Sequence, residues 1–156
     1  SNFDTNCGGF MNEEFYTLKG YKIKNEEVMS SSMEDYIEMI FRLSEKSDEI
    51  RVSDLSQALN VQPPSTTKMI RRLSKESYVI YEKYGCIKLT EKGRNIGSKL
   101  LERHMIIFGF LECIGVKDNI LEQTEIIEHS VNDEVLNKIR KLTEFLKNCD
   151  EFKNIE

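Results

Sequence analysis

From Ser32 onward the apolar residues of this chain recur at helical spacing, and the pattern is broken once, by a β-branched and aromatic stretch between Tyr78 and Leu89. That order leaves room for a helical fold carrying one hairpin and for little else. Met33, Tyr36, Ile37, Ile40 and Phe41 fall at i, i+3, i+4, i+7 and i+8, one stripe of an amphipathic helix, with Ser32 placed to cap it. Ser53 is placed to cap a short second helix that faces Leu55, Ala58 and Leu59 inward and breaks at Asn60. Pro63 and Pro64 open a third helix, because proline is tolerated in a first turn whose amides are unpaired anyway. Thr66, Met69, Ile70 and Leu73 form its buried stripe, which leaves Ser65, Thr67, Lys68, Arg71 and Arg72 on a polar, basic outer side. Tyr78-Val79-Ile80-Tyr81 and Cys86-Ile87-Lys88-Leu89, with Gly85 between them, read as a β-hairpin. Short helices, a basic third helix and then a hairpin are the parts, in order, of a winged helix-turn-helix.

The second half is expected to be all-helical. Thr90 can cap a long helix whose Ile96, Leu100, Leu101, Ile107, Phe108 and Leu111 offer more apolar surface than one small domain needs, ending near Gly115. A fifth helix is predicted from about Asp118 to His129, and a sixth from about Asn132 to Asn148 with Val135, Leu136, Ile139, Leu142, Phe145 and Leu146 inward. The expected architecture is mostly α: a winged helix-turn-helix DNA-binding domain over 30–92, then an all-helical domain over 93–156. Residues 1–29 read as an N-terminal extension of unknown role. Phe15, Tyr16, Leu18, Tyr21 and Ile23 suit a short strand or docked arm there, and Met11 suits a natural start.

The net charge of −5 argues on its face against a nucleic-acid partner, but the distribution matters more than the total. Gln62 to Arg103 holds ten Lys/Arg against four Glu, a local excess of six that leaves −11 to the rest of the chain. The middle is basic and its flanks are acidic. No run approaches a membrane-spanning length and Ser1 to Phe10 lacks the order of a secretory signal, so the expected location is the cytoplasm, with no membrane partner. Cys7, Cys86, Cys113 and Cys149 lie far apart and read as reduced thiols.

Two clusters carry chemistry: Asp35 with Glu38 on the first helix, and Glu125-Ile126-Ile127-Glu128-His129 on the fifth. Residues at i, i+3 and i+4 share one helix face, so each cluster can aim at a common centre. Carboxylates converging on one point repel each other unless a cation neutralises them. Taken alone, Asp35 and Glu38 are more often a solvated face, and a lone histidine such as His104, within the apolar fourth helix, is more often a hydrogen-bonded structural residue.

The motifs S-M-E-D-Y-I-E-M-I (Ser32–Ile40), R-V-S-D-L-S-Q-A-L (Arg51–Leu59), P-S-T-T-K-M-I (Pro64–Ile70), Y-V-I-Y-E-K-Y (Tyr78–Tyr84) and I-E-H (Ile127–His129) occur in an order that closely resembles the diphtheria toxin repressor, or iron-dependent repressor, family. The resemblance runs from Ser32 to about Phe145. It implies that 93–156 is a helical dimerisation and metal-binding domain, and that the dimer binds two neighbouring divalent ions per subunit through Asp35, Glu38, His104, Glu125, Glu128 and His129, with Glu38 and Glu128 bridging. Iron-responsive members use methionine and cysteine where this chain has Asp35 and Glu125. Four carboxylates and two imidazoles make a harder set, which suits Mn(II), tolerates Fe(II), and leaves Zn(II), Co(II) or Cd(II) as surrogates. The spacing from His104 to Glu125 runs one residue shorter than the family pattern, a difference that falls in the loop near Lys117. The chain closes soon after the sixth helix, without the SH3-like third domain of iron-type members, which points to the two-domain manganese type.

The expectation is therefore a Mn(II)-activated repressor that binds palindromic operators of metal-uptake genes as a homodimer, and not an enzyme. Base-edge contacts are assigned to Gln62, Ser65, Thr66 and Thr67, and phosphate contacts to Lys68, Arg71, Arg72 and Lys83. The alternatives are an Fe(II)-responsive regulator of the same fold and, from another class, a dinuclear metallohydrolase. The last would leave the basic third helix unexplained, and no small-molecule substrate is expected.

Overall fold

Helix α1, Ser31–Ser44, opens the part of the chain that the computed structural model describes, which is residues 29–82, 85–149 and 152. The strand or arm expected around Phe15 to Ile23 lies outside these residues. Met33, Tyr36, Ile37 and Ile40 are buried on α1, as the periodicity required, and Glu38 is buried with them. The helix starts one residue before the expected cap, in a run of serines any of which can take that role.

Strand β1, Ile50–Arg51, was too short to leave an alternation in the sequence. It leads directly into α2, Val52–Ala58, where Ser53 is not the cap. Arg51 holds that position, and its amide donates to the Asp54 carboxylate at 2.8 Å. Leu55 and Ser56 are buried, whereas Ala58 is exposed rather than inward because it falls on the last turn, beside an open cleft. Asn60, at φ 53°, reverses the chain. Helix α3, Pro63–Lys75, then begins on its two prolines and buries Thr66, Ile70 and Leu73.

Strands β2, Val79–Tyr81, and β3, Cys86–Leu89, pair antiparallel in the register Val79↔Leu89, Ile80↔Lys88, Tyr81↔Ile87. β1 pairs with the other edge of β3, giving the order β1-β3-β2. Tyr78 lies just before the strand expected to contain it. Its carbonyl oxygen accepts a hydrogen bond from Thr90 Oγ1, and its ring lies 3.9 Å from the Lys92 ammonium.

Helix α4, Glu91–Cys113, is capped as expected: Thr90 Oγ1 accepts the Gly93 amide at 3.0 Å, and Gly115 closes the helix at φ 85°. Its crossing over the first half needs two glycines. A Cβ at Gly93 would fall 2.0 Å from the Tyr78 carbonyl oxygen, and one at Gly97 would fall 2.7 Å from Phe41 Cβ. Helix α5, Ile120–Glu128, starts two residues later than predicted, behind Asn119 in the left-handed region. Helix α6, Asp133–Lys147, is capped by Asn132, whose side chain accepts the Val135 amide at 2.9 Å.

The inward set expected on α6 is only half right. Leu136, Ile139 and Leu146 are half-buried, but Val135, Leu142 and Phe145 are exposed, Phe145 by 65%. α6 packs chiefly on α4, which covers one of its two apolar stripes. No described helix is long and apolar enough to cross a membrane.

Candidate metal centre

Helical spacing delivers the acidic residues to one place. Asp35 and Glu38 leave α1 three positions apart, Glu125 and Glu128 leave α5 with the same separation, His129 caps α5, and His104 faces them from the middle of α4. His104 Nδ1 lies 2.9 Å from Glu128 Oε2 and 3.4 Å from Glu125 Oε1. His129 Nε2 lies 2.9 Å from Asp35 Oδ1 and 3.7 Å from Glu128 Oε1. Two overlapping triads result, Asp35–Glu125–His129 and His104–Glu125–Glu128, and in each the donor atoms lie within 4.8 Å of one another.

Five of the six residues expected as ligands are thus brought together. Glu38 belongs to neither triad: its Oε1 accepts from Arg42 Nη2 and Nε at 2.6 and 2.9 Å, since the guanidinium one turn on answers its charge. The residue common to the two triads is Glu125, not Glu38. Glu38 still lines the cleft of about 390 Å³ that opens onto the site between Ala58 and Leu59 of α2 and Leu121 of α5.

The electrostatics set the donor chemistry. Hydrogen bonds to Asp35 and Glu34 push His129 up to about 10, well above an ordinary imidazole. His104 is raised by its hydrogen bond to Glu128. Burial, and then the charge of Glu128, raise Glu125. Glu128 is fully buried, and its Oε1 has no hydrogen-bond partner among the described residues. Leaving such an acceptor bare costs about 1–3 kcal/mol, and more when it is charged. A divalent cation is the partner that hard carboxylate and imidazole donors at this spacing suit, so the residues fit the metal that the resemblance implies.

Sequence reading missed Glu34 and Arg103. Arg103 Nη2 donates to Glu34 Oε2 at 2.7 Å, and His129 Nδ1 lies 2.9 Å from the same oxygen. Burial pushes the Glu34 carboxyl up, but hydrogen bonds from His129 and Arg103 and their charges hold it below its ordinary range. The available signal was positional, since these two residues immediately precede Asp35 and His104.

At the cap of α3 and along it, Gln62, Ser65, Lys68, Arg71 and Arg72 are exposed and Thr67 is half-buried. Thr67, Lys68, Arg71 and Arg72, with Pro64 and Lys75, line a groove of about 570 Å³. Arg72 shares its charge with Glu76, Nε to Oε1 at 3.3 Å. Thr66 cannot take the base-edge role assigned to it: it is fully buried, with its Oγ1 2.9 Å from Ser56 Oγ in a hydroxyl pair that joins α2 to α3. Lys83 lies outside the described residues.

Comparison with known proteins gives the frame. Residues 28–87 match the N-terminal DNA binding domain of the iron dependent repressors, and residues 90–156 match their metal binding and dimerisation domain. The HTH-type transcriptional regulator MntR of Bacillus pumilus (strain SAFR-032) is 45% identical over 121 residues, 77% of this chain and 84% of that protein. Its namesake from Bacillus subtilis (strain 168) is 43% identical over 120 residues, 76% and 84% of the two chains. Among solved structures, the manganese regulator SloR superposes with a TM-score of 0.66 at 29% identity, covering 75% of this chain and 55% of its own. ScaR with bound Zn2+ superposes with a TM-score of 0.61 at 29% identity, over 72% and 54%. This chain therefore spans little more than half the length of those solved chains. With both domain models matched in order and 45% identity to a regulator over most of both chains, this chain belongs to the iron dependent repressor family.

Proposed function

We propose that the chain is a Mn(II)-activated repressor, cytoplasmic and homodimeric, that binds palindromic operators of metal-uptake genes. The observation that carries this reading is the bare Oε1 of the fully buried Glu128, a member of one triad that lies 3.7 Å from His129 Nε2 of the other. Asp35, His104, Glu125, Glu128 and His129 would hold two divalent ions per subunit, with Glu38 at the cleft wall as the sixth candidate. The bound metal supplies the positive charge that lets these carboxylates converge. Mn(II) is favoured by the hardness of the set and by the likeness to a manganese regulator, with Fe(II), Zn(II), Co(II) and Cd(II) as surrogates.

The mechanism follows from where the donors sit. Asp35 rides on α1, which packs on the winged-helix half and on α4, while Glu125, Glu128 and His129 ride on and beside α5. Closing them on one centre fixes α1 against α5 and, through α1, the placement of α3. In a two-fold dimer that favours a spacing of two α3 helices matching successive major grooves. Gln62, Ser65 and Thr67 would face base edges, and Lys68, Arg71, Arg72 and Lys75 the phosphates, with Lys83 assigned there from sequence. A coupling of about 1–3 kcal/mol would change operator affinity roughly 5- to 150-fold. The rival reading as a metallohydrolase loses its basis once the chain is placed among DNA-binding repressors.

Fluorescence anisotropy on a palindromic operator, with Mn(II) or with chelator, tests this. Metal should tighten binding by at least fivefold, and Glu128→Gln should remove that response while the chelated protein melts within a few degrees of the parent. Equal operator affinity with and without Mn(II) would sink the reading.

A further inference from the structure

We infer that Glu34 and Arg103, which belong to neither triad, are a positioning pair that orients the His129 ring and makes Nε2 its metal-facing nitrogen. The inference rests on the reading of His129 as a ligand.

Glu34 Oε2 lies 2.9 Å from His129 Nδ1 and 2.7 Å from Arg103 Nη2. An imidazole nitrogen facing an ionised carboxylate oxygen at that distance carries a proton and donates it, which leaves the other nitrogen to serve the opposite side of the ring. That nitrogen, Nε2, faces Asp35 Oδ1 at 2.9 Å and Glu128 Oε1, an oxygen with no hydrogen-bond partner among the described residues, at 3.7 Å. Both are triad members, so a proton shared with Asp35 on that side is the one a metal would replace, whereas Glu34, in neither triad, keeps its own. Arg103 Nη2 also comes within 3.4 Å of Nδ1. As a donor it would suit the opposite tautomer, but its contact is longer than that of Glu34 and lacks the attraction of a carboxylate for the ring N–H.

Arg103 has a different task. Glu34 and Arg103 expose 22% and 16% of their side chains, so an ionised Glu34 needs a nearby cation to stay charged there. With the guanidinium on it, Glu34 keeps its charge and its grip on the imidazole. The three residues come from α1, α4 and the end of α5, so this arrangement joins the DNA-binding half to the metal-binding half without using a ligand atom. A carboxylate behind a ligating imidazole fixes its tautomer and raises its basicity.

The test uses the full chain with Zn(II) as a diamagnetic probe and Mn(II) for affinity. The chain has two histidines, so a long-range 1H–15N spectrum separates both rings. In the parent protein, His129 should show a protonated Nδ1 and a metal-bound Nε2. Glu34→Ala should lose Mn(II) affinity by about 10- to 100-fold and lose that single tautomer. Glu34→Gln, whose amide oxygen still accepts from Nδ1–H, should recover most of both. The parent tautomer in Glu34→Ala, with or without a loss of affinity, overturns the inference, because a merely structural contact would leave the ring chemistry alone. Should the charge left on Arg103 prevent Glu34→Ala from folding, the double variant Glu34→Met/Arg103→Met removes both charges. It should lose at least tenfold, and parental affinity in it overturns the inference equally. His129→Ala is the control: unchanged Mn(II) affinity there defeats the ligand reading itself, whereas a loss there with none in Glu34→Ala defeats only the positioning role.

Discussion

His129 is held between two carboxylates, Glu34 on Nδ1 and Asp35 on Nε2, each at 2.9 Å. Both contacts favour the doubly protonated ring, which is why its proton persists up to about pH 10. A cation at Nε2 must displace that proton, so the two compete for one lone pair. The sign follows: with the site protonated at neutral pH, raising the pH removes the competitor and tightens metal binding. Mn(II) affinity should rise between pH 6 and 8 by up to about tenfold per unit for one displaced proton. Calorimetry in buffers of different ionisation enthalpy should count close to one proton released at pH 7; no release would show that Nε2 is not where the metal binds. Glu34 also marks what sequence could and could not give at this scale. The i, i+3 and i+4 spacings brought Asp35, Glu125, Glu128 and His129 onto usable faces, but no spacing shows that Glu34 reaches across 95 positions to His129, or that Arg42 claims Glu38.

Among the elements, the stripe of α3 illustrates why pattern outranks residue type. Thr66 carries a polar side chain at a buried register position, and its register placed it inside. Chemistry alone suggested a base contact, and geometry gave the hydroxyl to Ser56 instead. Thr66→Val should therefore cost about 1 kcal/mol, the net worth of one buried hydrogen bond, because Ser56 keeps its own bond to the Val52 carbonyl at 2.6 Å. Thermal melting measures that loss, and operator selection from a random library should return the parent's sequence preference. A changed preference would put Thr66 back at the DNA. The elements the pattern missed were those with too few residues to repeat: β1 has two, and the cap of α2 depends on a reach from Asp54 that a helix-start rule places on Ser53. In α6 the pattern was present twice over, since apolar residues on both sides fit a helical period, and only packing on α4 shows which side stays uncovered.

At the scale of the whole molecule, that uncovered side is the remaining demand. Leu142 and Phe145 lie three positions apart on α6 and are 47% and 65% exposed, with Val135 beside them at 46%. They fall in the region that matches the family's metal binding and dimerisation domain, which makes a second copy of this chain the natural occupant. A two-fold interface uses each residue twice, so a pair of substitutions removes four apolar contacts per dimer. Leu142→Glu with Phe145→Glu should leave the fold intact, because both side chains already face outward, and should weaken the dimer by at least about 3 kcal/mol, more than a hundredfold in Kd. Sedimentation velocity reads the assembly and anisotropy reads the consequence. Once a single α3 must hold a half-site alone, Mn(II)-dependent operator affinity should collapse even though the metal site, on the other elements, still binds its ion. An unchanged dimer in this variant would move the interface to the exposed Leu121 and Ile126 of α5, next to the metal centre, where assembly and metal binding would be coupled directly rather than through the placement of α3.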